Sequence, residues 1–105
     1  MSEKAKVPVY AIAQGRTVNR ALHDEYVAKA RLGLEKYGVK VLSITETPEV
    51  IEGKIDNPRF VLLEFPSREA FHAWYDSAEY RKILPMRLEA VPGTFVVIEG
   101  RPQSA

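Results

Sequence analysis

Residues 64 to 87 hold most of the side chains able to do chemistry: Glu64, Trp74, Ser77, Tyr80 and Arg87. Glu64 closes the most apolar stretch of the chain, Phe60 to Phe65. Two-residue alternation puts it on the side of Phe60 and Leu62, where a carboxylate is expected to be partly buried and to need a partner. Arg87 suits that part, because its planar fork matches a carboxylate through two parallel hydrogen bonds. A structural ion pair between the two is the plainer reading; the alternative is that Arg87 holds the carboxylate of a ligand. In a catalytic site, Arg87 would fix the anion and Glu64 or Tyr80 would move a proton. That is cofactor-independent acid/base chemistry, such as isomerisation or oxygenation of a small acidic molecule. Trp74 and Ser77 have blander uses, the first as a core anchor and the second as a local helix cap. They could also face a cavity together with Tyr80.

Other chemistry finds little support. His23 falls on a different side of its helix from Leu22 and Tyr26, and His72 lies opposite the stripe Ala70, Phe71, Trp74; both read as solvated rather than catalytic. Neither His is spaced from a carboxylate as a metal signature requires, and no nucleophile elbow, phosphate loop or nucleotide fingerprint occurs, so no metal and no cofactor is expected. The chain has no Cys, which excludes disulfides and thiolate chemistry. Fifteen basic against fourteen acidic residues leave a net charge of +1, too little to concentrate nucleic acid or anionic lipid. The polar start and the absence of a long apolar run point to neither a signal peptide nor a membrane span, with the cytoplasm as the default location.

The elements that must position these residues can be read in order. Val7 to Gln14 is rich in strand formers, and Gly15 stops it. From Arg20 to Tyr37, Leu22, Tyr26, Ala30, Leu34 and Tyr37 recur at spacings of three and four; Asn19 can cap the start, and Gly38 stands where a left-handed terminator is expected. Val39 to Glu46 resumes strand character, Pro48 marks a bulge or bend, and 49 to 53 is read as a continuation. A turn over 54 to 58 leads to the strand Phe60 to Phe65. Ser67 caps a helix from Arg68, and Asp76, with Glu79 three residues on, is read as the cap of another. Pro85 is expected to break that helix at Leu84, leaving Met86 to Ala90 as one further turn. Pro92-Gly93 turns the chain into a last strand, Thr94 to Glu99.

With 105 residues and 46% hydrophobic content, one domain over 7–100 is expected, between a flexible N-terminus, 1–6, and a polar tail, 101–105. Its order, β-α-β-β-α-β, is the split βαβ pattern of the α+β, ferredoxin-like sandwich: a four-stranded antiparallel sheet with helices on one face. Such a sheet leaves its other face free and ordinarily polar. Here both sides of three strands are apolar, Tyr10 and Ile12 alternating with Val9 and Ala11, Phe60 and Leu62 with Val61 and Leu63, Val96 and Ile98 with Phe95 and Val97. A homodimer packed through its sheet faces resolves the conflict. RNA-binding domains share the connectivity, but Phe60 to Phe65 lacks their basic and glycine content, so no nucleic acid is expected.

The segments Tyr10 to Gln14, Glu64-Phe-Pro-Ser67, Trp74-Tyr-Asp-Ser77, Leu84-Pro85 and Glu99-Gly100 together resemble domain-of-unknown-function family 1330, of the dimeric α/β-barrel superfamily. The resemblance implies a dimer of ferredoxin-like subunits. It brings no activity, because the superfamily spans cofactor-less monooxygenases, lactone isomerases, haem enzymes and stress-related proteins. The expected function is small-molecule binding in a dimeric α/β barrel, with Arg87, Tyr80, Ser77, Trp74 and Glu64 as the polar lining. The alternative is a non-enzymatic binding or stress-associated homodimer.

Overall fold

A computed structural model describes residues 7–101. The expected flexible N-terminus and all but the first residue of the polar tail lie outside the described residues. Four strands, β1 (Val9–Gly15), β2 (Lys40–Thr45), β3 (Arg59–Phe65) and β4 (Gly93–Glu99), form one sheet in the order β2-β3-β1-β4. Every pairing is antiparallel. Three helices, α1 (Arg20–Lys36), α2 (Arg68–Tyr75) and α3 (Ala78–Ala90), complete the split βαβ fold. Central β1 aligns Val9 with Phe65 and Glu99 at one end, and Gly15 with Arg59 and Gly93 at the other.

Alternation decides what meets the helices. Val9, Ala11, Leu63 and Phe65 turn inward and are buried with Phe71, Trp74, Tyr80 and Leu84 in one core cluster. Phe65 sits at the centre, its ring 5.1 Å from that of Phe71 and 5.4 Å from that of Trp74. Helix α1 starts on Asn19, whose side chain accepts from the Leu22 amide, and ends before Gly38 at φ +71°, the left-handed conformation that glycine adopts without a Cβ clash.

Three local expectations fail, two of them for a tertiary reason. Helix α3 does not break at Pro85 but runs through it to Ala90. Pro85 faces solvent, while Leu84 and Ala90 are buried on either side of it. The Ala90 carbonyl also accepts from the amides of Val18 at 2.8 Å and Asn19 at 3.3 Å. That anchoring outweighs the lost hydrogen bond. The cap of α3 is Ser77 rather than Asp76, which instead closes α2 and takes the Arg81 guanidinium at 2.8 Å. Strand β2 stops at Thr45, with its irregularity between Val41 and Ser43 rather than at Pro48. Beyond it the Glu46 carboxylate accepts from Arg20, Arg59 and Thr17, which draws the chain off the sheet edge into a loop.

Candidate functional site

The central strand leaves room above it. Its inward residues shrink along the strand from Val9 through Ala11 and Ala13 to Gly15, and α1 crosses with Ala30 at its inner side. The result is a cavity of about 450 Å³ between the sheet, α1 and α3, with Val61, Leu63, Leu34, Trp74 and Phe95 among its walls. Gly15 is needed for this geometry. A Cβ there would stand 2.7 Å from the Pro92 carbonyl oxygen and 2.8 Å from the Val91 side chain, pushing away the turn that brings β4 alongside.

Three of the polar groups that line the cavity, Tyr26, Tyr80 and Arg87, are connected. Tyr80 is 3% exposed, and its ring lies 4.2 Å from that of Trp74. Its hydroxyl accepts from Arg87 Nε at 3.0 Å and shares a hydrogen bond of 2.7 Å with the Tyr26 hydroxyl. Arg87 lies over the Phe95 ring at 4.8 Å, and among the described residues no carboxylate comes within ion-pair distance of it. Two phenols supply two O–H donors, and the bond between them uses one. Because the Arg87 contact is donated by Arg87, the second O–H remains for a ligand. Burial, reinforced by the Tyr80 phenol, pushes Tyr26 far above the ordinary tyrosine value, so it remains a donor.

A second group lines the cavity at the Gly15 end. His23 is 7% exposed, and its Nδ1 is buried without a hydrogen-bond partner among the described residues. Arg59, largely buried, donates to Glu46 at 3.1 Å. Burial first, then the charges of Arg59 and Arg20, hold the imidazole below its ordinary value, against a weaker opposite pull from Asp24 and Glu46.

Of the residues singled out in the sequence, the fold brings Trp74, Tyr80 and Arg87 together at the cavity. Ser77 serves its own backbone, accepting from the Tyr80 amide at 3.1 Å and donating to the Trp74 carbonyl at 2.8 Å. It borders a smaller cleft of about 320 Å³ between α1 and α3. Glu64 lies elsewhere. Its neighbours Leu63 and Phe65 point into the core, so its side chain is on the opposite face of the sheet. There it approaches Lys40 at 4.0 Å, and the expected pair with Arg87 does not form. His72 is exposed, as expected, 3.7 Å from Asp76. His23 is not solvated, which corrects the reading of α1. It stands three residues before Tyr26 and seven before Ala30, on the same inner stripe. Tyr26 and Arg59 were also missed as lining residues. Arg59 alternates with Val61 and Leu63, a signal that could have placed it.

Solved structures show the same fold. The RPA0582 protein of Rhodopseudomonas palustris, of unknown function, superposes with a TM-score of 0.72 at 17% identity, over 95% of this chain and 85% of that one. A DABB family protein with a ferredoxin-like fold from Mesorhizobium loti matches with a TM-score of 0.57 at 15% identity, over 94% of this chain and 100% of that one. A dimeric ferredoxin-like protein of unknown function from Jannaschia sp. CCS1 matches at 0.61 and 13%, over 90% and 99%. The architecture is thus that of the ferredoxin-like α+β proteins. The chain itself belongs to the family described as Domain of unknown function (DUF1330), whose model matches residues 8–101. No curated protein matches it. No helix among the described residues is long and apolar enough to cross a membrane.

Proposed function

We propose that the protein binds a small organic acid with an apolar body in this cavity, one in each subunit of a homodimer. The observation that carries the reading is the chain Arg87, Tyr80, Tyr26 at a cavity whose walls include Val61, Leu63, Leu34, Trp74 and Phe95. A guanidinium without a carboxylate partner among the described residues and a spare phenolic O–H converge there, and both are donors that suit a carboxylate. The space of about 450 Å³ lies within the ordinary range of small-molecule pockets. Support for the dimer is the apolar face left bare by the helices, together with the dimeric neighbour of the same fold. Any proton handed to the bound acid would come from the Tyr80 and Tyr26 pair, since Glu64 faces the other way. Such a step would need no cofactor.

The only Trp of the chain lines the cavity, which gives the test a built-in reporter. Benzoate titrated into the protein is expected to change Trp74 emission saturably, and uncharged benzamide to do so far more weakly. Arg87→Gln removes a charged hydrogen-bond donor and should weaken benzoate by about ten- to a hundredfold. The urea midpoint should move little. No saturable response to benzoate up to millimolar concentration, or an Arg87→Gln variant that binds it as well as the parent, would refute the reading.

A further inference from the structure

We propose that the acid bound in this cavity is a diacid, with its second carboxylate held by Arg59 at the opposite end from Arg87. The inference rests on the carboxylate reading of the cavity and deepens it by naming the class of acid.

Arg59 alternates inward with Val61 and Leu63 and lines the cavity, with only 11% of its side chain exposed. A charge so far out of water is costly unless it is paired and hydrogen-bonded. Its ion-pair partner among the described residues is Glu46 at 3.1 Å, and Glu46 also takes Arg20 at 3.0 Å and the Thr17 hydroxyl at 3.2 Å. One carboxylate divided between two guanidiniums leaves a positive charge over. Arg20 is exposed and water serves it, so the deficit falls on Arg59.

Only Nη1 of Arg59 is engaged; Nε and Nη2 donate to nothing among the described residues. Neither atom is sealed off, because the one side-chain polar atom among the described residues that is both occluded and unpartnered is His23 Nδ1. Nε and Nη2 form one side of the guanidinium fork, the side that grips both oxygens of a carboxylate at once. The other charged groups at the cavity do not fill that place. Arg31 and Glu35 are exposed on α1, four residues apart and opposite in sign, and Arg87 is a second cation.

The two guanidiniums flank the floor of small residues. Arg59 stands on β3 beside Gly15, whereas Arg87 lies over Phe95, which stands on β4 beside Ala13. Two strand spacings across and two residues along put the backbones of Arg59 and Phe95 about 12 Å apart, with β1 between them. A diacid with one ring or a short chain between its carboxylates fits that arrangement, its apolar middle over Ala13. A monoacid satisfies Arg87 and the spare phenolic O–H and leaves Arg59 as it was.

The test uses isothermal titration of the full chain with benzoate, phthalate, isophthalate and terephthalate. At least one diacid is expected to bind about ten- to a hundredfold more tightly than benzoate, the worth of one more charge-assisted pair. Its half-amide, which keeps an acceptor but drops the charge, should lose most of the gain. Arg59→Gln should bring the ratio of diacid to benzoate affinity close to one, and Arg59→Lys should keep part of it. In the parent protein, two arginine Nε–H resonances should move with the favoured diacid and one with benzoate, a readout independent of whether the Gln variant folds. If benzoate binds and no diacid binds better, or if Arg59→Gln keeps the ratio, the second carboxylate is ruled out and the carboxylate reading at Arg87 survives. If neither benzoate nor any diacid binds, both fall together.

Discussion

Burial and the guanidiniums of Arg59 and Arg20 hold the His23 imidazole below its ordinary value of 6.5, and this has a consequence for the unbound protein. In the unfolded chain the ring takes up a proton as pH falls through 6.5; in the folded chain it resists until lower pH. The unfolded state therefore binds more protons in that window, and stability declines as pH falls through it. Melting temperature followed from pH 8 to pH 5 is expected to fall more steeply for the parent than for His23→Gln. Equal slopes would mean that the ring titrates freely. In the sequence His23 reads as solvated from its offset to Leu22, although the spacing of positions 23, 26, 30 and 34 puts it on the inner stripe of α1. The place of Glu64 was legible only in part. Alternation puts it with Phe60 and Leu62, but both sides of β3 are apolar, so nothing local says which side the helices will cover.

At the scale of elements, α3 combines a strong start with a weak middle. The Ser77 hydroxyl satisfies the Tyr80 amide, one of the donors that the first turn leaves unpaired. Ser77→Ala should cost about 1 kcal/mol, read as a lower urea midpoint with unchanged slope. An unchanged midpoint would show that the cap contributes nothing. The caps at Asn19 and Ser67 and the stop at Gly38 could be read locally because their chemistry lies within four residues. The continuation of α3 past Pro85 could not. It depends on the Ala90 carbonyl meeting Val18 and Asn19, some seventy residues earlier in the chain. The end of β2 was hidden for a similar reason, since Glu46 finds its partners on α1 and β3.

The whole molecule is a slab only 16 Å thick along its shortest axis, which accommodates one helix layer and one sheet. The outer face of that sheet carries Leu42 at 47%, Val96 at 48% and Ile98 at 50% exposed, beside the half-buried Tyr10, Ile12, Phe60 and Leu62. Light scattering at micromolar concentration is expected to report a dimer, and Ile98→Lys, which sets a charge on that face, to shift it toward the monomer. A monomeric parent, or a variant that dimerises as tightly, would rule out the sheet face as the interface. Connectivity and the two-sided apolar strands were legible because both are properties of long, strongly patterned segments. The cavity was not: it arises from what is missing on the inner side of β1, where Ala13 and Gly15 stand in place of larger side chains.

The strands β1 and β3 have different business on their two sides. Ala13 and Val61 form the floor of the cavity, while Ile12 and Leu62, one residue away on the same backbones and directly paired, belong to the outer face. Ligand and second subunit would therefore press on one pleated layer from opposite directions. Thermodynamic reciprocity then applies: whatever factor an occupied cavity gains in dimer affinity, the assembled dimer gains in affinity for the acid. Ligand titrations at low and at high protein concentration would consequently differ, and the size of the difference would measure how stiffly the sheet transmits a push from one side to the other.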